Sequence, residues 1–538
     1  MAVEYVVNVD LAKITYSFPG NTKKYFRLLG WGDVIKIKDP AADISKAEIR
    51  IEMDIFENKS DNSVQPMPIV GTIKVPKSMS PDDVILKKSS SKILKIDFVD
   101  VQQGDGAVIE TPDGKIILID GGDNQLFARY LANRFRNSTA AKPRFVDCML
   151  VTHGDADHFI GLTKIAESET NANKKKQLFL CPERIFHNGL VKRPGSLNGN
   201  KLKDTEMLGS TVEVTDPETG KKVLAITGLE ENLLKVPSEQ MNQPFKTWAE
   251  VLRNYDQRLS QLKSRNVEFK RLEAGTDDAF DFLDDSISVK VLGPLALKNA
   301  GKSALRFLRT PPSGPRTSKE FLSVDEEGYG SFSASHTING QSIVFQLRYG
   351  GFTFLFSGDL NDEAERILTR EHNANRINLQ SDVLKVPHHG SHDFSGAFLQ
   401  AVAPVISVIS SGDESSRKEY IHPRATLLGA LGRYSRVDEP LIFITELVAF
   451  FQTEGWIRKD FHQLTAKGTA AAKKGGVVDP AEKDFFAFSR AAFGIVMVRT
   501  DGRRVLVYTN SALSDMKEAY AFEFDDHGKP MFVPIKKI

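Results

Sequence analysis

Cysteine is nearly absent from this chain. Among its 538 residues there are two cysteines, Cys148 and Cys181. A secreted domain that depends on disulfide bonds carries several cysteines at regular spacings, so the sequence predicts no disulfide framework. This usage is typical of a reducing compartment, and we expect a cytoplasmic protein.

Long hydrophobic runs are also missing. No segment approaches the roughly 20 apolar residues that a membrane-spanning helix needs. The first ten residues, MAVEYVVNVD, contain acidic side chains and no long apolar core, so they do not resemble a signal peptide. The sequence therefore predicts no membrane span.

The chain has almost no net charge. Its 71 Lys and Arg nearly balance its 70 Asp and Glu, which leaves a formal charge of +1. No global field therefore indicates nucleic acid, a membrane surface or an acidic substrate, and any such preference must be local. With 41% hydrophobic and 26% charged residues the composition is that of a globular protein, and the length predicts two or three domains.

What the chain does contain is a dense group of potential metal ligands after a short apolar segment. Residues 148–161 read CMLVTHGDADHFIG, in which a predicted strand is followed by His153, Asp155, Asp157 and His158. Imidazole and carboxylate groups that converge on one point are typical of a divalent cation site. Alternate residues of an extended segment share a face, so the first three can point together, and a turn brings in the fourth. The alternative is a polar turn after a strand.

This segment resembles the H-x-H-x-D-H signature of the metallo-β-lactamase superfamily, with Asp155 in place of the second His. The form H-x-D-x-D-H is similar to that of the hydrolase domain of ComEC-type DNA-uptake proteins. Residues 100–122, DVQQGDGAVIETPDGKIILIDGG, also match the opening pattern of that family. The resemblance implies an α/β fold, the αββα sandwich of two mixed sheets with outer helices. It also implies that Asp120 supports the metal ligands from behind, although Asp105 and Asp120 could both be ordinary turn carboxylates.

Two later segments repeat the pattern of an apolar strand followed by polar groups. Residues 342–359, SIVFQLRYGGFTFLFSGD, predict a β-hairpin that turns at two glycines and ends at Asp359. Residues 383–392, VLKVPHHGSH, contain three of the eleven histidines of the chain within five positions. Such a density is hard to explain as core filling, so we expect both segments to contribute to the same site.

The resemblance implies two divalent metal ions, Zn²⁺ or Mn²⁺, with Asp359 between them. One ion would be held by His153 and Asp155, together with His187. The other would be held by Asp157, His158 and His388. A lone histidine is often structural, which is the alternative for His187. Asp155 gives its ion an oxygen ligand where the signature has an imidazole nitrogen. Oxygen is the harder ligand atom in the hard–soft sense, so the site suits Mn²⁺ as well as Zn²⁺.

Three further residues belong to the implied site. His389 and Ser391 follow in the same P-H-H-G-S motif, and we expect them to contact substrate or to support the ligands. His422, which precedes a proline, is a candidate general acid or phosphate contact, with the start of a helix as the alternative. The predicted catalytic residues are therefore Asp157, His389 and His422.

The remainder of the chain divides around this core. Residues 1–90 predict a small β-rich accessory domain, a candidate site for a protein partner. The hydrolase domain is expected over residues 91–510, with insertions at about 165–285 and 450–488. Residues 511–538 form a tail to which the sequence assigns no role.

A local excess of positive charge follows the metal motif. Residues 170–203 contain eight Lys or Arg and one acidic residue, Glu183. Basic residues beside a metal site suit a phosphate-bearing substrate, although a solvated basic loop has the same composition. The candidate substrate-binding residues are Lys174, Lys175, Lys176, Lys192 and Arg193.

The sequence leaves three functions open. The resemblance implies a metal-dependent phosphodiesterase or nuclease acting on nucleic acid. The second is hydrolysis of a small phosphodiester or lactone, which a closed pocket formed by residues 170–203 and 301–335 would favour. The third is a partner-dependent effector or scaffold subunit of a bacterial defence or regulatory complex.

Overall fold

The computed structural model describes residues 2–56, 66–312, 322–323, 328–412, 422–446, 494–510 and 518–538. The insertion expected at about 450–488 lies outside these residues. So does much of the loop at 301–335 that was expected to help form a closed pocket.

The first 90 residues form a β-rich unit with its own core, as expected. Its seven strands pair in the order β3-β2-β6-β5-β4-β1-β7. Buried Ala and Ile side chains alternate with more exposed ones along β2 and β4, so that one face of the sheet is apolar. The elements are β1 (Val3–Val7), β2 (Leu11–Tyr16), β3 (Tyr25–Gly30), β4 (Val34–Ile37), α1 (Pro40–Asp43), β5 (Glu48–Phe56), β6 (Pro66–Lys74), α2 (Pro81–Val84) and β7 (Ile85–Lys87).

The segment with the metal motif comes next. Every residue of β8, β10 and β12 is buried, because these strands have packed layers on both faces. The elements are β8 (Leu94–Phe98), β9 (Gly106–Glu110), β10 (Ile116–Asp120), α3 (Leu126–Arg134), β11 (Arg144–Val146), β12 (Cys148–Leu150), α4 (Ala156–Ser168), β13 (Leu180–Pro182) and β14 (Arg184–His187).

The region expected as the first insertion is only partly separate from the core. Within it, β14 and β19 extend the main sheet, and α5 packs on the outside of that sheet. A separate four-stranded sheet has the order β17-β18-β22-β21. The elements are β15 (Ser196–Leu197), β16 (Asn200–Lys201), β17 (Thr211–Thr215), β18 (Lys222–Ile226), α5 (Gln243–Lys263), β19 (Glu268–Arg271), β20 (Ile287–Gly293), β21 (Ala296–Asn299) and β22 (Lys302–Arg306).

The rest of the chain completes a second large sheet and then returns to the first. The elements are α6 (Ala334–Gly340), β23 (Val344–Tyr349), β24 (Phe352–Phe356), α7 (Asp362–Asn373), β25 (Val383–Lys385), α8 (Gly396–Val402), β26 (Ile406–Ile409), α9 (Ala425–Tyr434), β27 (Leu441–Ile444), β28 (Ile495–Thr500), β29 (Arg504–Asn510), β30 (Ala519–Phe524) and β31 (Pro530–Val533). The last two strands come from the segment that the sequence left as an unassigned tail.

Two sheets pack face to face with helices on both outer sides. The ten-stranded sheet has the order β19-β14-β12-β10-β9-β8-β28-β29-β30-β31, and the six-stranded sheet has the order β20-β23-β24-β25-β26-β27. Side chains of both sheets, such as Ile119 and Phe354, share one core. Helices α3, α4 and α5 cover the first sheet, and α7, α8 and α9 cover the second. The expected αββα sandwich is confirmed.

Three hairpins turn at glycine-containing segments, among them the one expected over residues 342–359. Strands β9 and β10 pair across the Pro-Asp-Gly turn, with Ile116 opposite Glu110. Strands β23 and β24 turn at Gly350-Gly351, and β28 and β29 turn at Asp501-Gly502. These last two turns touch, since the amide of Gly351 donates to the carbonyl of Gly502 at 2.9 Å. Glycine permits the positive φ that each turn requires.

The C-terminal residues and β29 contact the seven-stranded N-terminal sheet and the loop beside it. The amide of Lys13 donates to the carbonyl of Ile538 at 2.9 Å, and Ile538 packs against the core of the N-terminal sheet. Arg504 in β29 forms an ion pair with the buried Asp10. In the described part of the chain, no helix has both the length and the hydrophobicity that crossing a bilayer would take.

Candidate metal centre

The predicted site residues gather where parallel strands end. Strands β10, β12 and β14 run parallel to one another in the first sheet, and β24 runs parallel to β25 in the second. The carboxyl ends of parallel neighbours lie at the same edge of a sheet, so the loops after these strands meet there. That edge carries the motif residues of the sequence.

Four side chains form a group of potential ligands at this edge. Asp157, His158, Asp359 and His389 each offer an atom within 4.8 Å of the others, and we call them the donor group. The Oδ2 atom of Asp359 lies 3.2 Å from Nε2 of His158 and 3.0 Å from Nε2 of His389. Nε2 of His389 is also 3.5 Å from Oδ2 of Asp157. Two imidazoles and two carboxylates facing one point are suited to a divalent cation.

The local backbone decides which histidine of the P-H-H-G-S motif joins the donor group. His388 and His389 both have left-handed backbone angles, with φ of +48° and +53°. His389 points to Asp157 and Asp359, whereas Nε2 of His388 lies 3.4 Å from the amide nitrogen of Asn339. Left-handed residues other than glycine are strained and cluster at functional sites. The structure thus brings His389 into the position for which the sequence favoured His388.

Asp120 orients His158, a member of the donor group, through a hydrogen bond from the ring nitrogen that faces away from the group. Its Oδ2 accepts a hydrogen bond from Nδ1 of His158 at 2.9 Å. The amide and the hydroxyl of Thr152 donate to the same carboxylate at 2.8 and 2.7 Å. This fixes the His158 ring with Nε2 toward the donor group, which is the usual arrangement behind a metal-binding histidine.

Lys385 and Gln103 were not singled out from the sequence, and Asp105 was named there only as a possible turn carboxylate. Asp105 is buried and forms an ion pair with Lys385, and its Oδ1 lies 3.4 Å from Nδ1 of His389. Lys385 donates to the carbonyl of Gly358 at 2.9 Å. Gln103 donates to Oδ2 of Asp157 at 3.1 Å. The signal for Lys385 was its place within the apolar strand Val383-Leu384-Lys385-Val386, where a charge needs a buried partner.

The remaining expected ligands lie around the donor group and outside it. The ring of His153 is 3.9 Å from that of His158, and its Nδ1 lies 3.2 Å from the hydroxyl of Ser342. Asp155 accepts from Lys192 at 3.4 Å. Nδ1 of His187 accepts from the amide of Gly189 at 3.0 Å, a contact that suits a structural histidine.

The candidate substrate residues are divided between two places. Lys192 lies beside Asp155. Lys174, Lys175 and Lys176 follow the other end of α4, and the 13 residues of that helix correspond to about 20 Å. The amide of Arg193 donates to the carbonyl of Met207 at 2.8 Å.

Two residues that follow the His388-His389 pair line the same edge. Ser391 is buried, and its hydroxyl accepts from the amide of Asp393 at 3.2 Å. The ring of His422 lies 6.2 Å from that of His388.

The electrostatics of the site favour a bound cation. Four carboxylates, those of Asp105, Asp120, Asp157 and Asp359, meet one ammonium group, that of Lys385, and the imidazoles of His158 and His389. Buried carboxylates need compensating charge, which a divalent cation supplies when the two imidazoles are neutral. The buried Oδ1 of Asp359 and Nε2 of His389 also have no hydrogen-bond partner. The residues present therefore fit a divalent metal ion.

The histidines titrate in two classes. Burial opposes the charge of His158 and His389, but the facing carboxylates together outweigh it, Asp359 with Asp120 at His158 and Asp359 with Asp105 at His389, and hold the pKa of both well above the usual value. Burial lowers the pKa of His187 to about 4 and that of His422 to about 3. The first two are therefore the histidines at which a bound cation would displace protons.

Known proteins share the segment that carries this motif. Residues 99–190 match the family described as the metallo-beta-lactamase superfamily. ComE operon protein 3 of Bacillus subtilis is 35% identical over 98 residues, and competence protein ComA of Neisseria gonorrhoeae is 41% identical over 86 residues. These matches cover 18% and 16% of this chain, and 12% of each relative.

Solved structures were also matched. One of them is a crystal structure of a metal-dependent hydrolase of the beta-lactamase superfamily, with a TM-score of 0.29 and 11% identity. The match covers 66% of this chain and 96% of that one.

Proposed function

Because residues 99–190 give this chain a metallo-β-lactamase superfamily domain, we propose that it is a metal-dependent hydrolase that cleaves phosphodiester bonds in nucleic acid. The observation that carries the proposal is the donor group at the common edge of the two sheets. The chain matches about an eighth of the length of its curated relatives, so its activity is inferred from its own residues.

The donor group would hold the cation through Asp157, His158, Asp359 and His389. A set of two imidazoles and two carboxylates suits Zn²⁺ or Mn²⁺. When bound there, the ion supplies Lewis-acid polarisation of a phosphoryl oxygen and lowers the pKa of water.

The chain's own side chains orient these ligands. Asp120 fixes His158, and the carbonyl of Ser410 lies 3.1 Å from Nδ1 of His389. Gln103 holds the carboxylate of Asp157, which is about one-quarter exposed and is therefore the ligand nearest to solvent. Each ligand is thus held before substrate arrives, which avoids reorganisation during the reaction.

His422 is better suited to binding phosphate than to giving up a proton. Burial lowers the pKa of His422 to about 3, and the charge of the nearby His389 acts in the same direction. The ring is therefore neutral at neutral pH in the free protein. A neutral imidazole can donate one hydrogen bond to a phosphate oxygen, whereas a general acid must already hold the proton that it transfers.

The spacing of the basic residues supports a polymeric substrate. Lys192 pairs with Asp155 of the metal motif, and Lys174, Lys175 and Lys176 form a second basic group that follows the C-terminal end of α4. A small phosphodiester has one phosphate to offer to these two groups. A nucleic acid strand carries a phosphate at every nucleotide and can contact both at once.

The test is cleavage of labelled single-stranded and double-stranded DNA and RNA with added Mn²⁺, Mg²⁺ or Zn²⁺. We expect metal-dependent cleavage by the wild type and none by Asp157→Ala. Asp438→Ala is the matched control, because Asp438 is exposed and precedes β27, at the opposite edge of the sheet from the donor group.

The other functions predict different results. Bound metal with no cleavage of any nucleic acid would contradict the nuclease proposal and favour a small phosphodiester, a lactone or a partner-dependent role. Absence of both metal and cleavage would contradict the metal centre itself.

A further inference from the structure

We propose that the centre holds one divalent cation and that the ammonium group of Lys385 takes the place of a second. The inference rests on the proposed function, because it concerns the same metal centre. It changes the role of Asp359 from a bridge between two ions to a link between one ion and a lysine.

The two oxygens of Asp359 face different cations. Oδ2 faces the donor group, at 3.2 Å from His158 and 3.0 Å from His389. Oδ1 lies 3.7 Å from Nζ of Lys385. A carboxylate that bridges two metal ions commonly gives one oxygen to each. Here the second oxygen is directed at an ammonium group that belongs to the chain.

Lys385 is held firmly in this position. Its side chain is 6% exposed, and Nζ donates to the carbonyl of Gly358 at 2.9 Å while forming an ion pair with Asp105. Loss of the ammonium group would leave the buried carboxylate of Asp105 without its ion-pair partner, which is strongly unfavourable. Lys385 is therefore an integral part of the centre.

The ligands expected for a second ion are not assembled. Among the described residues, none of His153, Asp155 and His187 belongs to a group of three or more converging donors. Asp155 is paired with Lys192, and Nδ1 of His187 is occupied by the amide of Gly189. A second ion would have to break these contacts and approach Lys385.

With one divalent cation and the Lys385 ammonium group, +3 stands against the four negative charges of Asp105, Asp120, Asp157 and Asp359, and with a second cation +5 stands against the same four. The net charge changes from −1 to +1 and does not decide the number of ions, but a second cation at Oδ1 of Asp359 would stand beside the ammonium group of Lys385. Lys385 is thus a positioning residue that acts through Asp359.

The experiment counts the ions. The full chain is saturated with Mn²⁺, freed of excess ion and examined by elemental analysis and native mass spectrometry, with electron paramagnetic resonance to separate isolated ions from coupled pairs. We expect one ion per chain with the signal of isolated Mn²⁺. Asp155→Ala and His187→Ala should still bind one ion, and His389→Ala should bind none.

Two variants test the lysine itself. Lys385→Ala removes the ammonium group and leaves two carboxylates facing an open space, so the count should rise from one toward two at high Mn²⁺. Lys385→Arg keeps the charge and should stay at one. If Lys385→Ala does not fold, the wild-type count and the ligand variants still decide the question.

The outcomes separate this inference from the proposed function. A wild-type count of two, or a folded Lys385→Ala variant that stays at one ion, overturns the inference even if nucleic acid is cleaved. One ion with no cleavage contradicts the proposed function and leaves the inference standing. A wild type that binds no ion overturns both.

Discussion

Gly104 is the position at which one methyl group should disturb the metal centre most directly. A Cβ atom added there would lie 1.8 Å from the carbonyl oxygen of Asp157, whereas real Cβ atoms essentially never approach closer than 3.0 Å. Gly104→Ala must therefore move the two segments apart by more than 1 Å. Whichever side moves carries a site residue, Asp157 on one side or Gln103 and Asp105 on the other.

Gly114→Ala is a matched control for the backbone strain. Gly104 and Gly114 have φ of +95° and +91°, so alanine is strained to a similar degree at both, by about 2 kcal/mol. A Cβ at Gly114 meets nothing within 4 Å. The difference between the two variants therefore isolates the contact with Asp157.

The expected loss follows from the displacement. Misplacing a catalytic group by about 1 Å can reduce the rate about 100-fold. We expect Gly104→Ala to lose at least that factor in kcat/KM for metal-dependent DNA cleavage, and to bind Mn²⁺ more weakly. Gly114→Ala should keep nearly wild-type cleavage after its lower thermal stability is taken into account.

The assay is cleavage of a labelled oligonucleotide at a temperature where circular dichroism shows both variants folded. A folded Gly104→Ala protein with wild-type cleavage and wild-type Mn²⁺ affinity would refute the placement of Gly104 against Asp157. Equal losses in the two variants would show that backbone strain, and not this contact, is responsible.

Three further predictions concern the same centre. Asp120→Asn keeps the shape of the side chain but removes the charge that orients His158, so the affinity for Mn²⁺, measured by calorimetry, should fall 10- to 100-fold. Replacing all three of Lys174–Lys176 by Ala should slow the cleavage of long DNA and make it less dependent on salt, with little effect on the cleavage of a small phosphodiester. Lys192→Ala should slow the cleavage of both substrates. Because carboxylates raise the pKa of His158 and His389, the binding of Mn²⁺ should release protons, and the affinity for Mn²⁺ should increase as pH rises. Calorimetry in buffers of different ionisation enthalpy measures the protons released, and calorimetry at several pH values measures the affinity.

Each of these has its own check. Asp147→Asn is the control for Asp120→Asn, since Asp147 also accepts a backbone amide, at 2.9 Å, but at the start of β12. Equal weakening of long and short substrates by the triple Lys variant would argue against a contact with a polymer. Metal affinity that is independent of pH would contradict titration of the two histidines.

The stability of the metal-free protein should fall as pH rises, whereas the affinity for Mn²⁺ should increase. His158 and His389 have pKa values raised well above those of an unfolded chain. Their stabilising contribution is complete below the unfolded pKa of about 6.5 and is lost as pH rises through the folded value. The free energy of unfolding of the metal-free protein, measured with urea, should therefore fall over that range. A rise would contradict the assigned direction.

Much of the architecture followed from local sequence. The αββα sandwich was implied by the resemblance of residues 100–122 and 148–161 to a known superfamily. The hairpin at Gly350-Gly351 was predicted from local sequence, because turn chemistry and strand pattern act over a few residues. The family motifs predicted that the residues around Asp157, Asp359 and His389 would meet. The C-terminal strands β30 and β31 were not assigned, since their place depends on pairing with β29 at the far edge of the sheet.

The composition of the site depended on contacts between distant segments. Sequence order alone determined that His388 and His389 follow a buried strand, but the left-handed backbone of both residues decided which one faces Asp359. The pairing of Asp105 with Lys385 joins positions 280 residues apart in the chain, and the placement of Lys174–Lys176 follows from the length of α4. The sequence by itself determined which side chains were available. Tertiary packing decided which of their atoms meet, because that depends on backbone angles and partners that no short motif contains.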